Sequence, residues 1–197
     1  MILGSHVIFS AYGFWLPNDP RGSWSDFVGS WELFRFGPAT KVDVRHSVAA
    51  HAHDPALRLA AKESLKYPAV HFTGLQARAI GRGFEAFVRR SGVVVWACAI
   101  LPEHVHMVLA RHRYVVEQIV NLLKGKSTAE LLAENLHPLD ACKTPTSRLP
   151  KCWGRGQWKV FLDTEADVRR AIDYVEQNPI KEGKPAQHWS FVTPLQT

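Results

Sequence analysis

Behind Thr73, apolar residues recur at helical spacing: Leu75, Ala79, Phe84, Phe87 and Val88 trace one face. Thr73 suits an N-cap and Ser91-Gly92 a stop, so the pattern predicts a helix between them, weakened in its first half by Gly81 and Gly83. The period then changes. Val93 to Ile100 (VVVWACAI) is apolar throughout and reads as a central strand. Leu101-Pro102-Glu103 makes a tight turn, and His104 to Ala110 (HVHMVLA) returns as a second strand. An earlier strand, Ser5 to Leu16 (SHVIFSAYGFWL), is stopped by Pro17.

Residues 115–136 are helical in pattern, with Ile119, Leu122, Leu123, Leu131 and Leu132 apolar and an interruption at Gly125. Residues 139–150 read as a loop, and 153–162 as a short strand or extended arm. Thr164 caps a last helix, with Asp167 three residues on as its reciprocal partner, and Pro179 ends it. Between the first strand and Thr73, residues 17–38 carry turn chemistry (Asn18-Asp19-Pro20-Arg21-Gly22-Ser23). Trp24, Trp31 and Phe34 punctuate this stretch and are expected to form a small satellite core, the other reading being that they stack on unpaired bases. Residues 41–66 are mostly helical in character, broken at Asp54-Pro55. Strand, helix, paired strands, helix, strand, helix is an α+β order with a largely antiparallel sheet. Parallel winding fits less well, because the best hairpin closes through a three-residue turn.

At 197 residues the chain is long enough for one well-buried core. A composition 46% hydrophobic and 21% charged argues against disorder, and no apolar run approaches a membrane span. Three scattered cysteines lack zinc spacing and read as reduced thiols of a cytosolic protein. The net charge of +6 is uneven: residues 71–160 hold 13 Lys/Arg against 6 Asp/Glu, a surplus that attracts phosphates without regard to sequence. Charge alone fits a merely soluble basic protein equally well.

That basic stretch surrounds the pair His104 and His106. Residues two apart on a strand share a face, so the two imidazoles stand about 7 Å apart along it, with Val105, Met107 and Leu109 turned to the core. Imidazole suits several divalent metals, and two ligands suffice for an ion that completes its shell with water and phosphate oxygens. Taken alone, the pair also reads as two surface histidines on a half-exposed strand. In the last helix, Val168, Ala171, Ile172 and Val175 define the buried stripe. Tyr174 and Asn178 lie on its flank, one turn apart, where a tyrosine ring can pack on the sheet while its hydroxyl enters a groove. The other reading is a boundary tyrosine and a C-terminal asparagine. A free tyrosine is a weak nucleophile at neutral pH and needs a metal or a base; no dedicated base is identifiable.

Leu101-Pro102-Glu103-His104-Val105-His106 resembles the Leu-Pro-x-His-x-His turn and strand of the HUH single-tyrosine transposases, the insertion-sequence transposases and their REP-associated relatives. Asp173-Tyr174-Val175-Glu176-Gln177-Asn178-Pro179-Ile180-Lys181, then Gly183 and Trp189-Ser190, resembles that family's Asp-Tyr-Ile-x-x-Asn-Pro-Val-Lys-x-Gly and Trp-x-Ser tail. Leu122-Lys124-Gly125-Lys126-Ser127 resembles the helix between them. The match in order and spacing covers residues 72–192.

The resemblance implies an RRM-like or ferredoxin-like palm, with a central antiparallel sheet and helices on one face. It would form a single domain over residues 1–197, with 17–70 an extended insertion after the first strand. It implies that His104, His106 and Asn178 hold Mg²⁺ or Mn²⁺. Tyr174 would attack a phosphodiester of hairpin-bearing single-stranded DNA, leaving a 5′-phosphotyrosine and a free 3′-hydroxyl. Candidate DNA contacts are Arg111, Arg113, Lys124, Lys126, Arg155 and Lys159. The resemblance further implies a cytoplasmic, nucleoid-associated protein. Insertion-sequence members act as homodimers, whereas REP-associated members can act as monomers. Two other functions share these residues: a replication or mobilisation nickase, and a domesticated, non-catalytic DNA-hairpin-binding protein.

Overall fold

The computed structural model describes residues 1–42, 44, 48, 50–143 and 148–195. The chain runs β1 (Gly4–Ser10), α1 (Trp31–Phe34), α2 (Pro55–Glu63), α3 (Gly74–Ser91), β2 (Val95–Ile100), β3 (His104–Ala110), α4 (Val116–Ala133), β4 (Trp158–Leu162) and α5 (Glu165–Lys181), with a single 3₁₀ turn at Asp140–Cys142. The four strands make one antiparallel sheet in the order β2-β3-β1-β4. With α3 between β1 and β2, and α4 between β3 and β4, this is the βαββαβ arrangement of the ferredoxin-like class, to which α5 is added.

Local chemistry explains the helix ends. Thr73 accepts the Gln76 amide N–H while the Gln76 side chain accepts from Thr73 N, and Thr164 and Asp167 repeat that box at the start of α5. Gly92, at φ 71°, closes α3 in the left-handed conformation. Pro179 does not end α5, which continues to Lys181. The carbonyls of that last turn find donors beyond the proline: Glu182 N donates to Asn178 O, and Lys184 N to Pro179 O. The missing proline N–H removes one bond of the ladder, the one to Val175 O, within the last turn and a half of α5.

Alternation divides the sheet. Val7, Phe9, Val105, Met107 and Leu109 face the larger core, where Ile80, Phe84 and Phe87 of α3 meet Ile119, Leu123 and Leu131 of α4. The two glycines that weaken α3 as an isolated helix let this layer close: a Cβ on Gly83 would lie 2.6 Å from Ser127 Cα, and one on Gly81 2.4 Å from the Trp189 ring. The opposite face carries Ala97, Ala99 and Val108, covered by Val168, Ala171 and Val175 of α5. A bulge between Val95 and Ala97 changes the parity of β2, so that Val95 faces the larger core and the small alanines face α5. Helices on one face of the palm are thus α3 and α4, and α5 lies across the other.

Three expectations from the sequence are revised. The first strand ends at Ser10 rather than Leu16, because Ala11 N and Tyr12 N turn to Glu103 O and Cys152 O. Of residues 41–66, only Pro55–Glu63 is helical, capped by Asp54, and residues 43, 45–47 and 49 lie outside the described residues, as do 144–147 of the 139–150 loop. A satellite core does form in the excursion, but from Leu16, Val28, Leu33 and Ala61. Trp31 is 87% exposed and Phe34 half-exposed, while Trp24 packs elsewhere, on Trp15 and Trp158.

Candidate active site

Register places the histidines. In the β1–β3 pairing His6 faces Val108, Ile8 faces His106 and Ser10 faces His104. His6, His104 and His106 therefore share the sheet face that α5 covers. The His104 and His106 ring centroids are 4.8 Å apart at 70°. His6, which the sequence did not single out, stacks on His106 at 5.4 Å, with its Nε2 3.2 Å from His106 Nδ1. The alternation within Ser5-His6-Val7-Ile8-Phe9 already set His6 opposite the core-facing Val7 and Phe9. Only the pairing of β1 with β3 brings it to the other two histidines.

The excursion walls this cluster. Phe14 lies flat on His104, centroids 4.9 Å apart at 2°, with Lys62 Nζ 5.5 Å from the Phe14 ring. Trp158 meets His6 edge-on at 5.5 Å, and Trp24 packs on Trp158 at 6.0 Å. Such surroundings disfavour charge on imidazole. Burial holds His6 and His104 down to about 4, and at His104 Glu182 raises and Lys184 lowers the value further. His106 falls well below its ordinary value through burial, reinforced by His104 and His6. At neutral pH all three rings are neutral.

On α5, Tyr174 brings its ring to 5.6 Å from both His6 and His106, and remains 41% exposed. Lys181, seven residues on, sets its Nζ 5.3 Å from the Tyr174 ring. Tyr174, Asn178 and Glu182 recur every fourth residue along one side of the helix. The first meets His6 and His106 and the last acts on His104, which leaves Asn178 between them. The structure therefore brings Tyr174, His104 and His106 together, with Asn178 on the facing side of α5.

The donors fit a divalent ion in chemistry. His104 Nδ1 and Asn178 Nδ2 are both buried without a hydrogen-bond partner among the described residues, an arrangement that costs free energy unless a ligand meets these side chains. The two ends of a carboxamide have the same shape, so the buried end of Asn178 serves equally as the acceptor Oδ1. His106, engaged by His6 at Nδ1, keeps Nε2 for coordination. Among the described residues no group of three or more His, Cys, Asp or Glu side chains is gathered for a metal.

The basic candidates divide by location. Arg111 and Arg113 follow the far end of β3, seven and nine residues beyond His104 and more than about 20 Å from it along the chain, and line a shallow open hollow with Ser91 and His112. Lys126 is exposed on α4, on the side of the sheet away from the histidines. Lys124 is buried, and its ammonium is committed to the protein, donating to Gly154 O at 2.9 Å and Gly156 O at 2.6 Å. It shapes the loop before β4 rather than meeting solvent. Lys159 pairs with Glu117 at 2.5 Å, and Arg155 lies exposed over Phe27.

An antiparallel ferredoxin-like sheet carrying paired histidines on the face crossed by a tyrosine helix defines the class of site. No family model matches the chain, and no curated protein does. Among solved structures it is similar to a REP-associated tyrosine transposase bound to a REP hairpin, at 14% identity and a TM-score of 0.45, over 93% of this chain and 70% of that one. It is also similar to a Deinococcus radiodurans R1 protein provisionally described as a transposase, at 15% identity and a TM-score of 0.40, over 94% of each chain. Likenesses this distant carry no functional argument of their own. Among the described residues no helix is long and apolar enough to cross a membrane.

Proposed function

We propose that the chain is a metal-dependent transposase that cuts and rejoins single-stranded DNA through Tyr174. One observation carries the reading: Tyr174 and the histidines converge within a single chain, its ring 5.6 Å from His106, with Asn178 one turn further along the same side of α5. His104, His106 and Asn178 would hold Mg²⁺ or Mn²⁺. Once bound, the ion would polarise the scissile phosphate and offset the charge that builds on its oxygens.

The Tyr174 hydroxyl oxygen attacks phosphorus, and the bond from phosphorus to the 3′ oxygen breaks. The electron pair leaves with that oxygen, which takes a proton to become a 3′-hydroxyl, while the phenol proton passes to water. The product is a 5′-phosphotyrosine. Attack by a 3′-hydroxyl reverses the step, so rejoining needs no external energy source. Lys181 adds a cation beside the attacking ring, where it favours phosphate approach. The reading has Tyr174 act in cis, on a phosphate held by the same chain's histidines, and the 5.6 Å approach of the Tyr174 and His106 rings supports it.

Hairpin-bearing single-stranded oligonucleotides incubated with the protein and Mn²⁺ are expected to give a covalent adduct that survives denaturing electrophoresis and maps to Tyr174 by mass spectrometry. Tyr174→Phe abolishes it. An adduct that persists in Tyr174→Phe moves the nucleophile elsewhere, and no adduct with any of a broad set of hairpins removes the reading.

A further inference from the structure

Between the excursion and the loop before β4 lies a cleft of about 500 Å³. Its floor includes Ile8 and Ser10, the cross-strand partners of His106 and His104, so it opens about one strand spacing, roughly 5 Å, from the histidines. Aromatic rings continue from the site into its wall: Trp158 touches His6, Trp24 packs on Trp158, and Trp15 stacks on Trp24 at 5.8 Å and 12°. At the mouth, Phe27 is 54% exposed with the Arg155 guanidinium 5.1 Å from its ring. The satellite core uses neither Trp24 nor Phe27.

We propose that this cleft seats an unpaired nucleobase of single-stranded DNA beside the scissile phosphate, with Phe27 as stacking platform and Arg155 as phosphate contact. The proposal rests on the transposase reading for the scissile phosphate beside the cleft, though not for the binding itself. Exposed aromatic faces beside a cation are what a sequence-tolerant single-strand site requires, since every base offers a π-face and every linkage a charge. The acid in the wall, Asp26, is paired with Lys41 and so does not repel the backbone. Lys124, donating to Gly154 O and Gly156 O from below, fixes the loop that carries Arg155. A duplex does not fit the role, because its bases are stacked on one another and cannot enter a cleft of this size.

The experiment measures equilibrium binding of a short fluorescein-labelled oligothymidylate by anisotropy, in EDTA and on a Tyr174→Phe background, so that neither cleavage nor a metal contributes. Phe27→Ala is expected to weaken binding about tenfold. Arg155→Gln should weaken it less and flatten its salt dependence. An abasic oligomer of the same length should bind the Tyr174→Phe parent as weakly as the thymidylate binds its Phe27→Ala derivative. Both substituted side chains are exposed, and an unchanged thermal midpoint verifies the fold. Equal affinity of the Phe27→Ala and parent proteins, or of the abasic and thymidylate oligomers, overturns the proposal while leaving the adduct assay untouched. Conversely, a missing adduct with base-dependent binding intact removes the transposase reading and spares the cleft.

Discussion

His6 and His106 meet across adjacent strands, Nε2 to Nδ1 at 3.2 Å, with their rings nearly parallel. A histidine that ligates through Nε2 carries its proton on Nδ1, and here that proton would be donated to His6 Nε2. His6 thus fixes both the tautomer and the ring angle of His106 from behind, the role that carboxylates and carbonyls fill at many metal sites. His6→Ala should weaken Mn²⁺ binding by about 10- to 100-fold, followed as free Mn²⁺ by electron paramagnetic resonance. His6→Asn, which can still offer an acceptor, should recover part of the loss. Unchanged Mn²⁺ affinity in His6→Ala would reduce His6 to packing.

The features legible in the sequence are those set within a few residues. Thr73, Gly92, Thr164 and Asp167 announced their helix ends because a cap is decided by its immediate neighbours. The turn at Leu101-Pro102-Glu103 and the parity of β3 likewise depend on the local chain. His6 was invisible because its role depends on which strand lies beside β1, a contact 100 residues away in sequence. The same holds for Lys124, whose partners are carbonyls 30 and 32 residues on, and for Phe14, which reaches His104 only through the fold of the excursion. Composition counted Lys124 as a surface charge, and long-range hydrogen bonding made it a buried one.

Gly83 tests the packing of α3 on α4. In an exposed helix Gly→Ala is stabilising by about 1 kcal/mol. Here the new Cβ would lie 2.6 Å from Ser127 Cα and 2.7 Å from Ser127 N, backbone atoms that cannot swing aside. Overpacking of that kind costs roughly 1–3 kcal/mol and outweighs the propensity gain. Gly83→Ala should therefore lower the stability measured by urea unfolding, whereas Gly125→Ala, with open space around its position in α4, should not.

The histidine cluster predicts an acid-labile fold in the metal-free protein. Unfolded, each imidazole titrates near 6.5; folded, His6 and His104 are held at about 4, and His106 is lowered as well. Above 6.5 all are neutral in both states and contribute no pH dependence. As pH falls from 6.5 towards 4 the unfolded chain takes up protons that the folded one refuses, so stability declines through that window. Each pH unit is worth about 1.4 kcal/mol per histidine, or roughly 3 kcal/mol for His6 alone, a large share of a typical domain's stability. Urea titrations in EDTA across this range should show the decline. His6→Gln, which cannot take the proton, should make it shallower, and an equal slope in that variant would contradict the assignment.

Lys124 predicts the opposite end of the pH scale. Burial pushes its ammonium down to about 8, against an ordinary value of 10.5, and the group donates to two loop carbonyls. Between those values the unfolded chain holds the proton and the folded one does not, so this residue makes stability rise with pH from about 8 upward. Lys124→Met keeps the length and apolar packing of the side chain but removes both the donor and the titration. At pH 7 the variant gains by not burying a charge and loses the donor that holds the Gly154 and Gly156 carbonyls, two opposing effects of similar size. The stability of wild type relative to Lys124→Met, from parallel urea titrations, should rise from pH 8 to 10. Because the same loop carries Arg155, the variant should also bind single-stranded oligothymidylate more weakly. A gap that stays constant with pH would mean that the Lys124 amine titrates in the fold as it does in water.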